Sequence, residues 1–252
     1  MRPSTRMVVL GGRKLWTPGN ISTALWLDAN DASTITLNGS TVSEWRDKSG
    51  NAHHASQATV ANQPTYSTSR INNRPAIFSD GINDLMTFST AIIPNDFTII
   101  AVGQGNASES SNFVINQFML GSGRMQTWFV RSSNDVGLQL GDGNASGTTQ
   151  FTIDANQIVQ WSRVVNTGSV VFNGSLIGST SLTETLQSVA TTIFGRPSPL
   201  VLSKITIGEL IIISGGVSTT DRQKLEGYLA HKWGLTANLP SDHPFKFTPP
   251  IA

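Results

Sequence analysis

Apolar and polar positions alternate through most of this chain in short runs, broken by glycine, asparagine, aspartate and serine. Strand side chains point to opposite faces with a period of two, so such runs predict strands. The first covers residues 25–27. Residues 34–37 and 41–45 flank Asn38-Gly39, a pair that accepts the positive φ of a tight hairpin turn. Strands follow at 74–78 and 85–89, around a turn-rich loop at 79–84. Residues 97–102 form a continuous apolar run, which predicts a central buried strand. Residues 113–120, 125–130 and 136–140 read as a meander, and 151–153, 158–165 and 170–172 come next. Asn173-Gly174 turns the chain into 175–177, and 191–194 and 204–213 complete the set. Turn clusters roughly 8–12 residues apart are the pattern of a sandwich.

One segment departs from this period. Leu225, Leu229 and Trp233 recur every fourth residue with Tyr228 beside them, the apolar face of a helix. Ser218 and Asp221 form an N-cap pair, and Gly234 stands where a C-cap glycine belongs. A lone helix after serial strands reads as a closing element over a sheet edge or an open end. The expected architecture is all-β: a two-sheet antiparallel β-sandwich, a jelly roll, with one C-terminal α-helix near 218–233. Residues 1–20 lack periodicity and read as an N-terminal arm. Residues 21–246 are the domain, and 247–252 an extended tail. If the tail is extended, Phe245 and Phe247 point the same way and can anchor in one groove of a neighbouring chain. The weakly charged strand 113–120, left at an edge, would also need a cover or a partner. Both features suggest an oligomer with its termini in the contacts.

Composition narrows the classes of function. The chain has 252 residues, a usual size for one β-sandwich. Lys and Arg total 17 against 16 Asp and Glu, so no broad basic footprint for nucleic acid exists. Cysteine is absent, which removes disulfides and thiolate metal sites. The apolar run 7–10 is too short for the core of a signal peptide, and no segment reaches the length of a membrane span. Five N-x-Ser/Thr sequons reflect a composition rich in Ser, Thr and Asn.

Four segments carry a resemblance. Trp45 to Ala55 matches a W-x-D-x-S-G-N-x-x-H turn, with Asp47, Gly50, Asn51 and His54 in place. Phe78 to Asp84 contains an F-x-G-x-N-D type loop. Val171 to Gly178 is a V-x-x-N-G hairpin, with Trp161 upstream. The strand-glycine-helix block from Gly208 to Leu235 is followed by Leu-Pro-Ser-Asp-His-Pro-Phe-Lys at 239–246. Together, in this order, they resemble LamG-like domains of the concanavalin A-like lectin/glucanase superfamily. The version they most resemble recurs in bacteriophage virion proteins and bacterial surface proteins. The resemblance spans about residues 24–246 and implies the sandwich fold. It also implies that Asp80 and Asp84 lie in a loop where some relatives hold calcium; two carboxylates alone are a weak site. The 45–55 segment reads as a structural turn, with a calcium or ligand loop as the alternative. No metal ligand and no cofactor is assigned.

The superfamily's glucanases use a Glu-x-Asp-x-x-Glu strand to supply nucleophile and acid/base, and the motif is missing here. Glu44 and Asp47 are three apart, and Glu209 stands alone before an apolar run. No G-x-S-x-G is present for a Ser-His-Asp site. The expectation is a protein without catalytic residues, not an enzyme. Trp128 is the candidate ligand-binding aromatic, able to stack on a sugar if its ring faces outward. The loops 133–135 and 141–144 are polar candidates for glycan contact. The first reading of function is a bacteriophage virion structural protein, displayed on capsid or tail, whose partners are other virion proteins or copies of itself, with host-surface adhesion in addition. The alternative is a carbohydrate-binding, lectin-like module whose partner is a cell-surface glycan. Neither involves nucleic acid or membrane insertion.

Overall fold

The structure, a computed structural model, describes residues 14–105, 111–117, 124–131, 135–141, 143–148, 154–197 and 200–252. It is a β-sandwich of antiparallel strands with one C-terminal helix. One layer is built from β1 (Thr23–Asp28), β2 (Phe97–Gly105), β3 (Gln157–Val164), β4 (Thr167–Phe172), β5 (Ser175–Ser181) and β6 (Ile205–Ser214). Their spatial order is β1-β6-β2-β3-β4-β5, every pair antiparallel. The facing layer runs, in pairing order, through Ile35–Asn38, Thr41–Trp45, Ala55–Ser56, Met86–Thr87, Thr192–Ile193, Ser111–Gln117, Met125–Arg131, Asp135–Leu140 and Gly143–Thr148.

Alternation fills the space between the layers. Leu25, Leu27, Ile99, Ala101, Val159, Trp161, Leu210 and Ile212 point inward and meet Val42, Trp45, Ile115, Phe129, Val136 and Leu138 in one core. Phe129 and Trp161 join the two layers, with ring centroids 5.7 Å apart. Strands β2 and β6 are buried along almost their whole length. Their unbroken apolar runs arise because both faces of the sheet are covered there. The second cover is α1 (Thr219–Trp233). Leu225, Leu229, Ala230 and Trp233 pack on Ile100, Val102, Ile158, Ile211 and Ile213, a second apolar cluster outside the sandwich. The helix thus lies across a sheet face rather than over an edge or an open end as expected. The outward residues Ile100 and Val102 of β2 and Ile211 and Ile213 of β6 are apolar and need that cover. Ser218 caps the helix by accepting from the Asp221 N–H at 3.0 Å, and Gly234 ends it at φ 69°.

A bulge sets the register beneath the helix. Pairing of β6 with β2 shifts between Ile207 and Glu209, so Ile207 and Leu210 both face the inner core while Glu209 and Ile211 face α1. A Cβ on Gly208 would stand 2.7 Å from the Trp233 ring, so only glycine lets the helix approach this closely.

Several expectations are corrected. The hairpin Thr65–Ile71/Arg74–Phe78 turns at Asn72 (φ 47°) and Asn73 (φ 61°), and the mostly polar 65–70 stretch gave no apolar signal for its first strand. Strand Ser111–Gln117 is not an edge: it pairs with Met125–Arg131 on one side and Thr192–Ile193 on the other. Residues 118–120 and 151–153 lie outside the described residues, as do most of the arm and parts of the 133–135 and 141–144 loops. The two tail rings do not share a groove. Turns at Pro240–His243 and His243–Lys246 break the extended path, so Phe245 packs against Gly227 while Phe247 is 85% exposed. The tail and the end of the arm meet instead in this chain, Trp16 N–H donating to Pro250 O at 3.0 Å and Ala252 N–H to Lys14 O at 2.9 Å. Among the described residues no helix is long and apolar enough to cross a membrane.

Candidate functional site

Helix α1 covers only part of the outer face of its sheet. Beyond it, the outward side chains change from apolar to mixed. In β3 the same alternation that sends Val159 and Trp161 inward sends Gln160, Ser162 and Val164 outward. Ser169 and Val171 of β4 and Leu176 of β5 continue this surface. Thr98 of β2 and, from the start of the helix, Val217 and Arg222 close it on the other side. The result is a groove of about 270 Å³.

Its polar groups differ in how fully they are paired. Thr98 Oγ1 donates to Gly215 O at 3.2 Å and so belongs to the scaffold. Ser169 Oγ lies 3.4 Å from Ser179 Oγ. Gln160 is only 4% exposed, and its Oε1 has no hydrogen-bond partner. A buried carboxamide oxygen without a donor from protein, water or ligand costs about 1–3 kcal/mol. Arg222 is fixed from behind: its Nη1 donates to Glu226 Oε1 at 2.5 Å, and Glu226 Oε2 lies 3.0 Å from His243 Nε2. Glu226 is 1% exposed, so the bridge ties Arg222, which lines the groove, to an internal carboxylate.

Two other hollows are less suited to a ligand. One, near Asn51, His53 and Ile92, has its main polar groups committed: Asn51 Nδ2 donates to Thr23 O and Ala24 O, and His53 Nδ1 lies 3.1 Å from Ala24 O. The other lies between α1 and the paired chain ends, lined by Trp16, Tyr228 and Pro250, and is largely apolar.

The residues singled out in the sequence have other roles. Trp128 is 1% exposed, packed so closely on Gly137 that a Cβ there would lie 2.2 Å from its ring. A buried ring has no face to offer a sugar, so the stacking role expected of Trp128 does not fit its position. Phe129, which faces the opposite side of the same strand, is also buried. Asp47 is a turn anchor: Oδ1 accepts from Trp26 N–H and Ser49 N–H, and Oδ2 from Ser49 Oγ and His53 N–H. Asp80 Oδ1 accepts from Ile82 N–H at 2.8 Å, and Asp84 Oδ2 from Asp80 N–H at 2.9 Å. Burial pushes the Asp84 carboxyl up to about 6, against the pull of that N–H. Among the described residues no group of three or more His, Asp or Glu side chains is placed to hold a metal ion.

Glu209 is the most enclosed carboxylate. Oε1 accepts from Trp26 Nε1 at 2.7 Å and Tyr228 OH at 2.9 Å; Oε2 accepts from Lys232 Nζ and Trp233 Nε1, both at 2.7 Å. Lys232 also bridges to Asp28 at 2.8 Å, and Lys48 ties Asp28 to Asp31. Burial pushes Glu209 upward while Lys232 pulls it back; burial and the nearby Glu209 charge push Tyr228 far up. With every oxygen engaged under α1, Glu209 fastens the helix to the sheet. Glu44 pairs with Arg46 at 2.8 Å, which holds its carboxyl below the usual range. Sequence reading passed over Gln160, Ser162 and Arg222. In β3 the outward face mixes Gln160 and Ser162 with Ile158 and Val164, a pattern too mixed to mark a site in the sequence.

No protein-family model matches the sequence, and no curated protein matches it. Solved structures do share its fold. Domain 4 of AbnA, a GH43 extracellular arabinanase from Geobacillus stearothermophilus, in complex with arabinotriose, superimposes with a TM-score of 0.61 at 10% identity, over 81% of this chain and 98% of that one. The binding domain of Paraclostridial Mosquitocidal Protein 1 gives 0.58 at 12% identity, over 82% and 52%. Trypanosoma rangeli sialidase gives 0.57 at 12% identity, over 82% of this chain and 32% of the sialidase, so this chain spans about a third of that enzyme. At such identities the likeness concerns the fold alone: a jelly-roll β-sandwich. The bacteriophage assignment suggested by the sequence finds no support among these structures.

Proposed function

We propose that this chain is a carbohydrate-binding module that acts by binding rather than by catalysis. The groove beside α1 carries the reading. It sets hydrogen-bonding side chains, Gln160, Ser162 and Ser169, on rigid strands among the apolar surfaces of Val164, Val171 and Leu176. A sugar ring offers the matching mixture of hydroxyls and C–H faces. The groove is slightly smaller than the about 300–1,000 Å³ of pockets for drug-sized ligands, which suits one or two sugar units. The arabinotriose complex of a domain with this fold adds support. For the absence of catalysis, the support is that no Asp or Glu is among the described residues that line the groove, whereas glycoside hydrolysis ordinarily requires two facing carboxyls.

The test is a glycan array followed by calorimetry on the glycans retained, with Gln160→Leu as the variant. The native protein should bind at least one glycan without cleaving it. Gln160→Leu should weaken that binding roughly tenfold, because a buried hydrogen bond to the ligand is lost. The same change should leave thermal stability equal or higher, since the unpaired amide disappears. A folded protein that retains nothing on the array refutes the reading.

A further inference from the structure

Resting on the carbohydrate reading, we propose that the groove selects a sugar bearing a carboxylate, with Arg222 as the anchor for that group. Arg222 is the one charged side chain among the described residues that line the groove. It projects from the first turn of a 15-residue helix, whose N-terminal end carries partial positive charge. Asp221, the acid of that turn, does not line the groove; its carboxylate accepts from the Ser218 hydroxyl at 2.8 Å. The buried Glu226, braced by His243, holds Nη1 of Arg222 and so fixes the guanidinium plane. Nε and Nη2 of Arg222 have no protein partner among the described residues. A guanidinium held by one edge with its other donors unpaired matches the planar, two-oxygen geometry of a carboxylate. A second polar side chain lines the same groove: the nearly buried Gln160, whose Oε1 has no protein partner. Glu226 offsets part of the guanidinium charge, but its fixed position lowers the ordering cost of binding.

Uronates and sialates both present a carboxylate on a sugar ring, and paired probes separate them. The protein is titrated with sialyllactose against lactose, and with digalacturonate against its dimethyl ester. One acid should bind roughly tenfold or more tighter than its neutral counterpart, and its affinity should fall with added salt while that of the neutral sugar does not. Arg222→Lys keeps the charge and loses the fork, so it should remove most of that preference. Gln160→Leu should weaken acid and neutral sugar alike and leave their ratio unchanged. If Arg222→Lys melts at a much lower temperature, the acid-to-neutral ratio and its salt dependence in the native protein decide the matter. Neutral sugars binding as tightly as the acids would overturn acid selection and leave the carbohydrate reading standing. Failure of the folded protein to bind any sugar, on these probes and on the array, would overturn both.

Discussion

Asp84 shows how a single buried carboxyl sets a pH dependence. Its folded value of about 6 lies above the 3.8 of an ordinary aspartate, because one accepted N–H does not replace lost water. The folded state therefore binds this proton more tightly than the unfolded chain. Its contribution is fullest below about pH 4 and is lost as pH rises through about 6. Asp84→Asn should thus raise stability near neutral pH by about 1–3 kcal/mol and have little effect near pH 4, as read by urea unfolding at the two values. A loss of stability at neutral pH would show that Asp84 is held ionised. Burial raises Glu209 as well, but four donors hold its two oxygens. Glu209→Ala leaves Trp26, Trp233 and Tyr228 without their acceptor and takes one of the two carboxylates from Lys232. It should cost about 3–5 kcal/mol in the same assay.

At the scale of elements, α1 was the most legible part of the chain. Ser218, the fourfold spacing of Leu225, Leu229 and Trp233, and Gly234 all act where the sequence places them. Such signals are local, carried by residues within a turn of one another. Where the helix docks was not legible, since this depends on which sheet face β2 and β6 leave bare. Gly227 separates the two kinds of information. Alanine in a helix interior is favoured over glycine by about 1 kcal/mol. Yet a Cβ at Gly227 would lie 2.4 Å from the Phe245 Cβ, and overpacking of this kind costs about 1–3 kcal/mol. Packing should win, and Gly227→Ala should lower the unfolding midpoint. Combined with Phe245→Gly the clashing side chain is gone, Cβ included, so adding Gly227→Ala to Phe245→Gly should be neutral or stabilising. Additive losses in the double variant would place the strain elsewhere.

At the scale of the whole molecule, alternating strands and Asn-Gly turns made the sandwich readable, but the candidate site was not. The groove exists because α1 stops short of covering β3 to β5, and the extent of that cover is a property of the assembled fold. Trp128 illustrates the same limit. Period-two alternation requires Trp128 and Phe129 to face opposite ways, but it does not reveal that both sides of their strand are covered. The loop at 80–84 was read in sequence as a weak calcium site and the 45–55 segment as a structural turn with a calcium or ligand loop as its alternative, and the structure gives the carboxylates of both internal partners. Asp47 holds four donors, Asp80 closes its own turn, and Asp84 accepts from Asp80 N–H. A calcium ion needs about 6–8 oxygen ligands, and displacing these internal bonds would unfasten the loops that bear them. The groove itself contains no carboxylate to bridge an ion to a sugar. Sugar binding should therefore be independent of calcium: titrations with chelator and with added calcium should superimpose, and the melting temperature should not shift between them. A rise in melting temperature with calcium concentration would reveal a bound ion through mass action. Loss of that rise in Asp80→Asn or Asp84→Asn would then assign it to the loop at 80–84.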